Sequence, residues 1–107
     1  MASEALQKRL RQLRKGYQAK LHEKIEALDA SLRSAIGSGS PEECAELWAV
    51  AHNLAGTAGS YGYRNLAEVV HEMEDLVAPF RQTGDLPRPV SDGLVLLIEE
   101  ARRLAEA

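Results

Sequence analysis

Residues 40–62 read SPEECAELWAVAHNLAGTAGSYG, and this stretch predicts one well-delimited helix. Ser40 is a favourable N-cap residue, and Pro41 suits the first helical position because its missing N–H is not needed there. Glu43 lies three residues after the cap and completes a capping box. The helix is therefore expected to run from about Pro41 to Ser60 and to break at the glycine-containing turn that follows.

One face of this helix places small residues around a histidine. At about 100° per residue, an apolar stripe predicted to face the core consists of Leu47, Ala51, Leu54 and Ala58. The sector around His52 holds Ala45, Ala49, Gly56 and Gly59, with Trp48 and Ala55 at its flanks. An exposed helix face normally carries long polar side chains. Glycine inside a helix costs about 1 kcal/mol relative to alanine, so Gly56 indicates that another surface must reach the imidazole one turn away.

The rest of the chain predicts three more helices and no strand. The first has an apolar stripe with a period near 3.5, formed by Leu6, Leu10, Leu13, Tyr17, Leu21, Ile25, Leu28, Leu32 and Ile36. Gly16 leaves open whether this helix is continuous, kinked or split, and Gly37-Ser38-Gly39 is expected to end it. Short connections make consecutive helices neighbours. The predicted fold is therefore all-α, an antiparallel four-helix bundle over residues 17–107 preceded by a helical extension over residues 1–16.

The third and fourth helices follow a break at Tyr61-Gly62. The third is predicted from about Tyr63 to Gln82, with Pro79 marking either a kink or an early end. The segment 83–89 is rich in helix breakers, and Ser91 is expected to cap the last helix.

Composition supports one helical domain and excludes several classes of protein. The chain has 107 residues, 45% of them hydrophobic and only 5% aromatic, which is typical of a helical bundle. Its single cysteine, Cys44, excludes an internal disulfide or a cysteine-based metal site and is predicted to lie in the core. The longest apolar run, Leu94 to Ile98, is far shorter than the ~20 residues that cross a bilayer. With no signal peptide either, a cytoplasmic protein is predicted.

The net charge of −3 is unevenly distributed. Residues 1–24 contain seven Lys or Arg against two Glu, whereas the remainder contains six against fourteen acidic residues. The basic residues alternate with leucines at helical spacing, and no aromatic residue precedes Tyr17. This pattern favours a solvated helix face over a nucleic-acid-binding arm.

The residues around His52 resemble the histidine-containing phosphotransfer (Hpt) family of two-component phosphorelays. The pattern His-x-Leu-x-Gly, with Gly ten and Leu fourteen residues after the His, is carried by His52, Leu54, Gly56, Gly62 and Leu66. Ala51, the pair Met73-Glu74 and the run from Tyr17 to Ile25 also fit the family, so the resemblance covers nearly the whole chain. The chain differs from the family pattern at Ala55, where the family often has Lys.

The resemblance implies that His52 is the phosphoacceptor and that receiver domains of a hybrid kinase or response regulator are the partners. It implies no cofactor in this chain, with Mg²⁺ expected on the partner receiver domain. The predicted docking patch consists of Ala45, Trp48, Ala49, Ala55, Gly56 and Gly59, with Tyr63 and Arg64 at its rim. Trp48 is either a partner anchor or a cover for a helix seam. Arg64 either replaces the missing cation near the phosphoryl group or is merely solvated.

Other motifs bear on a metal site and on catalysis. Glu68-x-x-His71 matches one element of a di-iron bundle, but the second element is missing, so no metal is predicted and His71 and Glu74 are expected on a solvated face. The chain has no phosphate-binding loop, catalytic triad motif or nucleotide fingerprint. A phosphocarrier without its own ATP site is predicted. A helical adaptor and the phosphoacceptor domain of a chemotaxis-type kinase remain alternatives.

Overall fold

The computed structural model describes residues 3–106 as four helices arranged in a ring. They are α1 (Glu4–Ser38), α2 (Pro41–Ser60), α3 (Arg64–Val77) and α4 (Arg88–Glu106), with a 3-10 turn (Ala78–Phe80) directly after α3. Each helix packs against the next along the chain, and α4 returns to α1. The described residues contain no strand, so the predicted all-α four-helix bundle is confirmed.

The core is built from the stripes that the helical periodicity predicts. The stripe of α2 is buried along its length, and Cys44 is buried beside it, as expected. In α1 the predicted stripe is buried only from Tyr17 to Leu32. At its end the prediction is wrong, because Ile36 is exposed and its neighbour Ala35 is buried instead. The ring is closed by Arg102 of α4, which donates hydrogen bonds to Glu26 (2.9 Å) and Asp29 (3.1 Å) of α1.

The first helix is one continuous rod. It passes through Gly16 without interruption and ends at Gly39, whose left-handed backbone (φ 61°) lets its N–H reach the Ala35 carbonyl. Every residue from 4 to 16 is exposed, and the three leucines of this segment are about half exposed. The N-terminal third of α1 therefore extends beyond the bundle.

The third helix takes the early end that was one of the two alternatives predicted for Pro79. It stops at Val77 rather than near Gln82, and the chain tightens into the 3-10 turn that contains Pro79. Proline has no N–H to donate, and its ring crowds the preceding turn of an α-helix, so it shortens the helix at this position.

The start of the fourth helix is also corrected. It begins at Arg88, and Ser91 does not cap it. The carbonyl of Pro87 accepts hydrogen bonds from the N–H groups of Val90 and Ser91 (both 3.0 Å). Pro89 lies in the first turn, where its lack of an N–H has no cost.

The segment between the 3-10 turn and α4 is pressed against the start of α2. Gly84 has a positive φ of 75°, and a Cβ atom placed on it would lie 2.3 Å from the carbonyl carbon of Ser40. Only glycine permits this conformation and this close approach. The contact holds the residues after α3 beside the first turns of α2.

None of the helices in residues 3–106 is long and apolar enough to cross a membrane.

Candidate functional site

The predicted phosphoacceptor, His52, lies in the middle of α2 and is held by a side chain of α3. Its Nδ1 atom is 2.7 Å from Oε1 of Glu74. The His52 side chain is 57% exposed, whereas that of Glu74 is only 13% exposed. The imidazole therefore stands at the surface, and its hydrogen-bond partner is largely covered by the bundle.

Glu74 connects two histidines. Its second carboxylate oxygen, Oε2, lies 3.1 Å from Nδ1 of His71, one turn earlier on α3. The prediction that Glu74 belongs to a solvated face is therefore wrong, because α3 turns this residue toward α2. His71 is exposed as predicted, but it is bonded rather than free. In the sequence, the only sign of the contact between His71 and Glu74 is their three-residue spacing on one helix face.

The contact with Glu74 determines which nitrogen of His52 can react. An ionised carboxylate can only accept a hydrogen bond, so Nδ1 must carry the proton. In the neutral ring the lone pair then resides on Nε2. Among the described residues His52 forms a side-chain hydrogen bond only through Nδ1. Nε2 is thus the ring nitrogen whose lone pair is not engaged by a side chain of the described residues.

An aromatic and cationic stack adjoins His52. The Trp48 ring is stacked on the imidazole with a centroid separation of 5.0 Å and an interplanar angle of 11°. The guanidinium carbon of Arg81 lies 4.3 Å from the centroid of the Trp48 ring. Trp48 is half-buried, so it covers part of the helix seam and also contacts the site. The sequence did not indicate Arg81, because its proximity to Trp48 depends on the turn after α3.

Most, but not all, of the residues predicted for the docking patch lie at the surface. Ala45, Gly56 and Gly59 are exposed, and Ala49 is half-buried like Trp48. Ala55 is only 1% exposed, so the prediction that it lines this surface is wrong. It lies on the flank of α2 that α3 covers.

The two patch glycines have different surroundings. A Cβ atom at Gly56 would have no neighbour within 4 Å, so nothing in the described part of the bundle requires glycine there. At Gly59 the Cβ would lie 3.8 Å from the Cβ of Ala67, an ordinary contact between α2 and α3. Open space around Gly56 is consistent with its predicted role in access to His52.

Tyr63 and Arg64 adjoin the Gly59 end of this patch, away from His52. The Tyr63 N–H donates to the carbonyl of Ala58, the residue before Gly59 (2.9 Å). Arg64 precedes Glu74 by ten residues on α3, a distance of about 15 Å along the helix axis. Tyr63 packs against Tyr17 (ring centroids 5.7 Å apart) and lies beneath Arg14 of α1 (5.6 Å). Both residues belong to the end of the bundle from which α1 extends, so Arg64 does not replace the missing cation near His52.

The described residues 3–106 contain no group of three or more His, Cys, Asp and Glu side chains arranged to hold a metal ion. His71 instead has a partner in Glu74, and Glu68 is exposed.

The fold and the site together define a class of protein. It is a helical bundle that presents a histidine beside a surface of small residues, with one ring nitrogen bonded to a carboxylate and the other left free. The family follows from comparison. The model of the Hpt domain matches residues 4–106, and the chain therefore belongs to the Hpt domain family. Membership implies a phosphotransfer role in two-component signalling. No curated protein and no solved structure is significantly similar to the chain.

Proposed function

We propose that Nε2 of His52 accepts a phosphoryl group from the aspartate of one receiver domain and passes it to the aspartate of another. The single observation that carries the proposal is the 2.7 Å contact between Nδ1 of His52 and Glu74. This contact gives the exposed imidazole a defined tautomer with its lone pair on Nε2. A neutral imidazole with that lone pair free is a competent nucleophile near neutral pH.

The transfer step can be written with its atoms and charges balanced. The Nε2 lone pair attacks the phosphorus of the aspartyl phosphate, the N–P bond forms, and the P–O bond to the aspartate breaks. The aspartate leaves as a carboxylate with the bonding electron pair. The imidazole keeps its proton on Nδ1 and becomes positively charged, and the Glu74 carboxylate stabilises that charge. The same steps in reverse deliver the phosphoryl group to the next aspartate.

The partner supplies the remaining parts of the reaction. Phosphoryl transfer depends on positioning and on neutralising charge at the moving group. In this proposal the receiver domain contributes the aspartate and its Mg²⁺ ion. The present chain contributes the oriented nucleophile and acts as a phosphocarrier rather than as an enzyme with its own ATP site.

The surface around His52 is suited to such a partner. Small side chains at Ala45, Ala49, Gly56 and Gly59 leave the imidazole accessible along the helix in both directions. A receiver domain can therefore bring its aspartate to Nε2 without displacing long side chains. We infer that these four residues form the centre of the docking surface and that Trp48 contributes its exposed edge.

Phosphotransfer from labelled phosphorylated receiver domains tests this function. Wild-type protein is expected to gain a label that is labile to acid and stable to alkali. The variant His52→Gln should gain none, and His22→Gln, an exposed histidine of α1, should behave as wild type. A label that persists in His52→Gln contradicts the assignment.

The same experiment separates the alternatives. If only an ATP-bound kinase domain phosphorylates the protein and receiver domains do not, the result supports a phosphoacceptor domain of a chemotaxis-type kinase. No label from either source supports the adaptor.

A further inference from the structure

We propose that Arg81 is the cation that binds the phosphoryl group once it is on His52, and that Trp48 holds the guanidinium in place before phosphorylation. This inference rests on the proposed function and specifies the charge partner at the same site. Arg81, in a different segment, takes the role that is one of the two alternatives predicted for Arg64.

The aromatic stack brings Arg81 close to the imidazole. The Trp48 ring lies 4.3 Å from the Arg81 guanidinium carbon and 5.0 Å from the His52 ring, so the guanidinium is within about 9 Å of the imidazole. A phosphoryl group on Nε2 lies in the plane of the imidazole, nearly parallel to the indole, so the arginine side chain must move to reach it. Rotation about the flexible arginine side chain can then bring the guanidinium to the phosphoryl oxygens.

The backbone around Arg81 is well anchored. The 3-10 turn that precedes it packs on α2. The close approach of Gly84 to Ser40 holds the chain a few residues later. Within the turn, Nε of Arg81 donates to the Ala78 carbonyl at 3.2 Å. The backbone at Arg81 is therefore held in place, whereas its side chain is flexible and contacts the Trp48 ring.

The charge of Arg81 is not used elsewhere in the described structure. Arg33, Arg102 and Arg103 each form an ion pair with a carboxylate. Arg81 forms none with the residues of the described range, and its only close charged or aromatic contact there is the Trp48 ring. A guanidinium presents a planar pair of N–H donors that matches two phosphoryl oxygens.

Phosphorylation creates a need for such a cation. The phosphoryl group brings close to two negative charges to a ring whose other nitrogen already contacts the Glu74 carboxylate. Ala55 offers no charge, and Arg64 lies about 15 Å away along α3. A bidentate pair with the phosphoryl group is stronger than the exposed contact with Trp48, so Arg81 is expected to leave the indole when His52 is phosphorylated.

Trp48 makes this movement measurable, because it is the only tryptophan of the chain. Phosphoramidate serves as the phosphodonor, since no receiver domain is then present. The donor reacts as its zwitterion, whose nitrogen is already protonated. Nε2 of His52 attacks the phosphorus, the N–P bond to the imidazole forms, the P–N bond of the donor breaks, and neutral ammonia leaves with the bonding electron pair. Trp48 fluorescence is recorded during phosphorylation, and the phosphohistidine is then followed by ³¹P NMR as it hydrolyses.

The expected results differ between two matched arginine variants. Wild-type protein should change its Trp48 emission on phosphorylation. Arg81→Gln should show a different emission change, because Trp48 stacks on His52 in both proteins but only the wild type has a guanidinium that leaves the indole. Its phosphohistidine should hydrolyse at least about fivefold faster. Arg81→Lys should restore part of the lifetime, because it restores the charge but not the bidentate geometry. Arg64→Gln, the control at the far end of the bundle, should match wild type in both measurements.

Two outcomes overturn the inference in distinguishable ways. If Arg81→Gln keeps the wild-type lifetime and emission change, Arg81 does not bind the phosphoryl group, while His52 remains the phosphoacceptor. If wild-type protein takes up no phosphoryl group from phosphoramidate or from receiver domains, the proposed function fails and this inference fails with it. Circular dichroism of Arg81→Gln confirms that the exposed substitution leaves the helices intact.

Discussion

Glu74 and His52 are 22 residues apart in sequence but share a hydrogen bond of 2.7 Å across the seam between α3 and α2. The carboxylate is largely covered and the imidazole is mostly exposed. A largely covered acceptor thus fixes the tautomer of a surface histidine, as in other sites where a carboxylate orients an imidazole. The reactivity proposed for α2 therefore depends on a residue of α3.

Replacing Glu74 by Gln should slow phosphotransfer from a phosphorylated receiver at least about tenfold, because the amide can bind either tautomer and no longer stabilises the cationic ring. The measurement is the initial rate of label transfer at fixed receiver concentration. Glu72→Gln, on the exposed side of the same helix, should leave the rate unchanged. Equal rates for Glu74→Gln and wild type would contradict the role given to the carboxylate.

Gly56→Leu should block docking without harming the fold. A Cβ at this position meets no neighbour within 4 Å, and replacing a mid-helix glycine stabilises a helix by up to about 1 kcal/mol. The midpoint of thermal unfolding should therefore stay the same or rise, while transfer from a receiver falls at least about tenfold. Gly56→Ala is the matched control and should transfer at nearly the wild-type rate. Normal transfer by Gly56→Leu would show that access past residue 56 is not needed.

Tyr17→Phe should lower the free energy of unfolding at neutral pH. It should also make that free energy fall less steeply as the pH rises. The Tyr17 hydroxyl shares a hydrogen bond of 3.2 Å with Thr57 Oγ1, and its removal should cost about 1 kcal/mol in the free energy of unfolding. Burial raises the pKa of Tyr17 above its ordinary value of 10.0.

The folded state therefore holds the Tyr17 proton more tightly than the unfolded state does. Its contribution is fully present below pH 10 and is lost as the pH rises through the higher pKa of the folded state. Urea unfolding from pH 8 to 11 should show a smaller decline for Tyr17→Phe than for wild type. Tyr61→Phe keeps the Tyr17 hydroxyl and should retain the wild-type decline. Parallel curves for Tyr17→Phe and wild type would refute this assignment.

Removing residues 1–13 should change the free energy of unfolding by less than about 1 kcal/mol, since residues 4–13 are all exposed and surface side chains contribute little. Leu21→Ala, on the buried part of the same helix, should instead cost about 2–5 kcal/mol. Denaturant unfolding measures both. A loss on truncation as large as that of Leu21→Ala would mean that this segment packs on the bundle.

The features that sequence predicted correctly are those with local causes. Helix α2 begins after Ser40 and ends before Tyr61-Gly62 because a cap, a proline and a glycine turn act within a few residues. Its buried stripe follows from the helical period alone. Where local signals compete, the prediction was only partly right: α3 takes the early end that Pro79 allows rather than continuing to Gln82, and α4 begins at Arg88 rather than after a cap at Ser91.

The errors around the site have a different cause. Ala55 was placed on the open surface because the helical wheel shows the direction of a residue but not which neighbouring helix covers that flank. Arg64 was placed near His52 because it follows α2 closely in sequence. The turn of the chain at Gly62 sends α3 back past His52, so residues a full helix later become its neighbours.

The sequence by itself determined the four helices, the buried side of α2, and the one histidine set among small residues, because caps and periodicity operate within one or two turns. How far the apolar stripe of α1 is buried was decided by the tertiary structure, since residues 4–16 extend beyond the bundle. Only the tertiary structure decided that Glu74 holds Nδ1 and that Arg81 lies over Trp48. These contacts join separate segments, and their geometry depends on how α3 and the turn after it pack against α2.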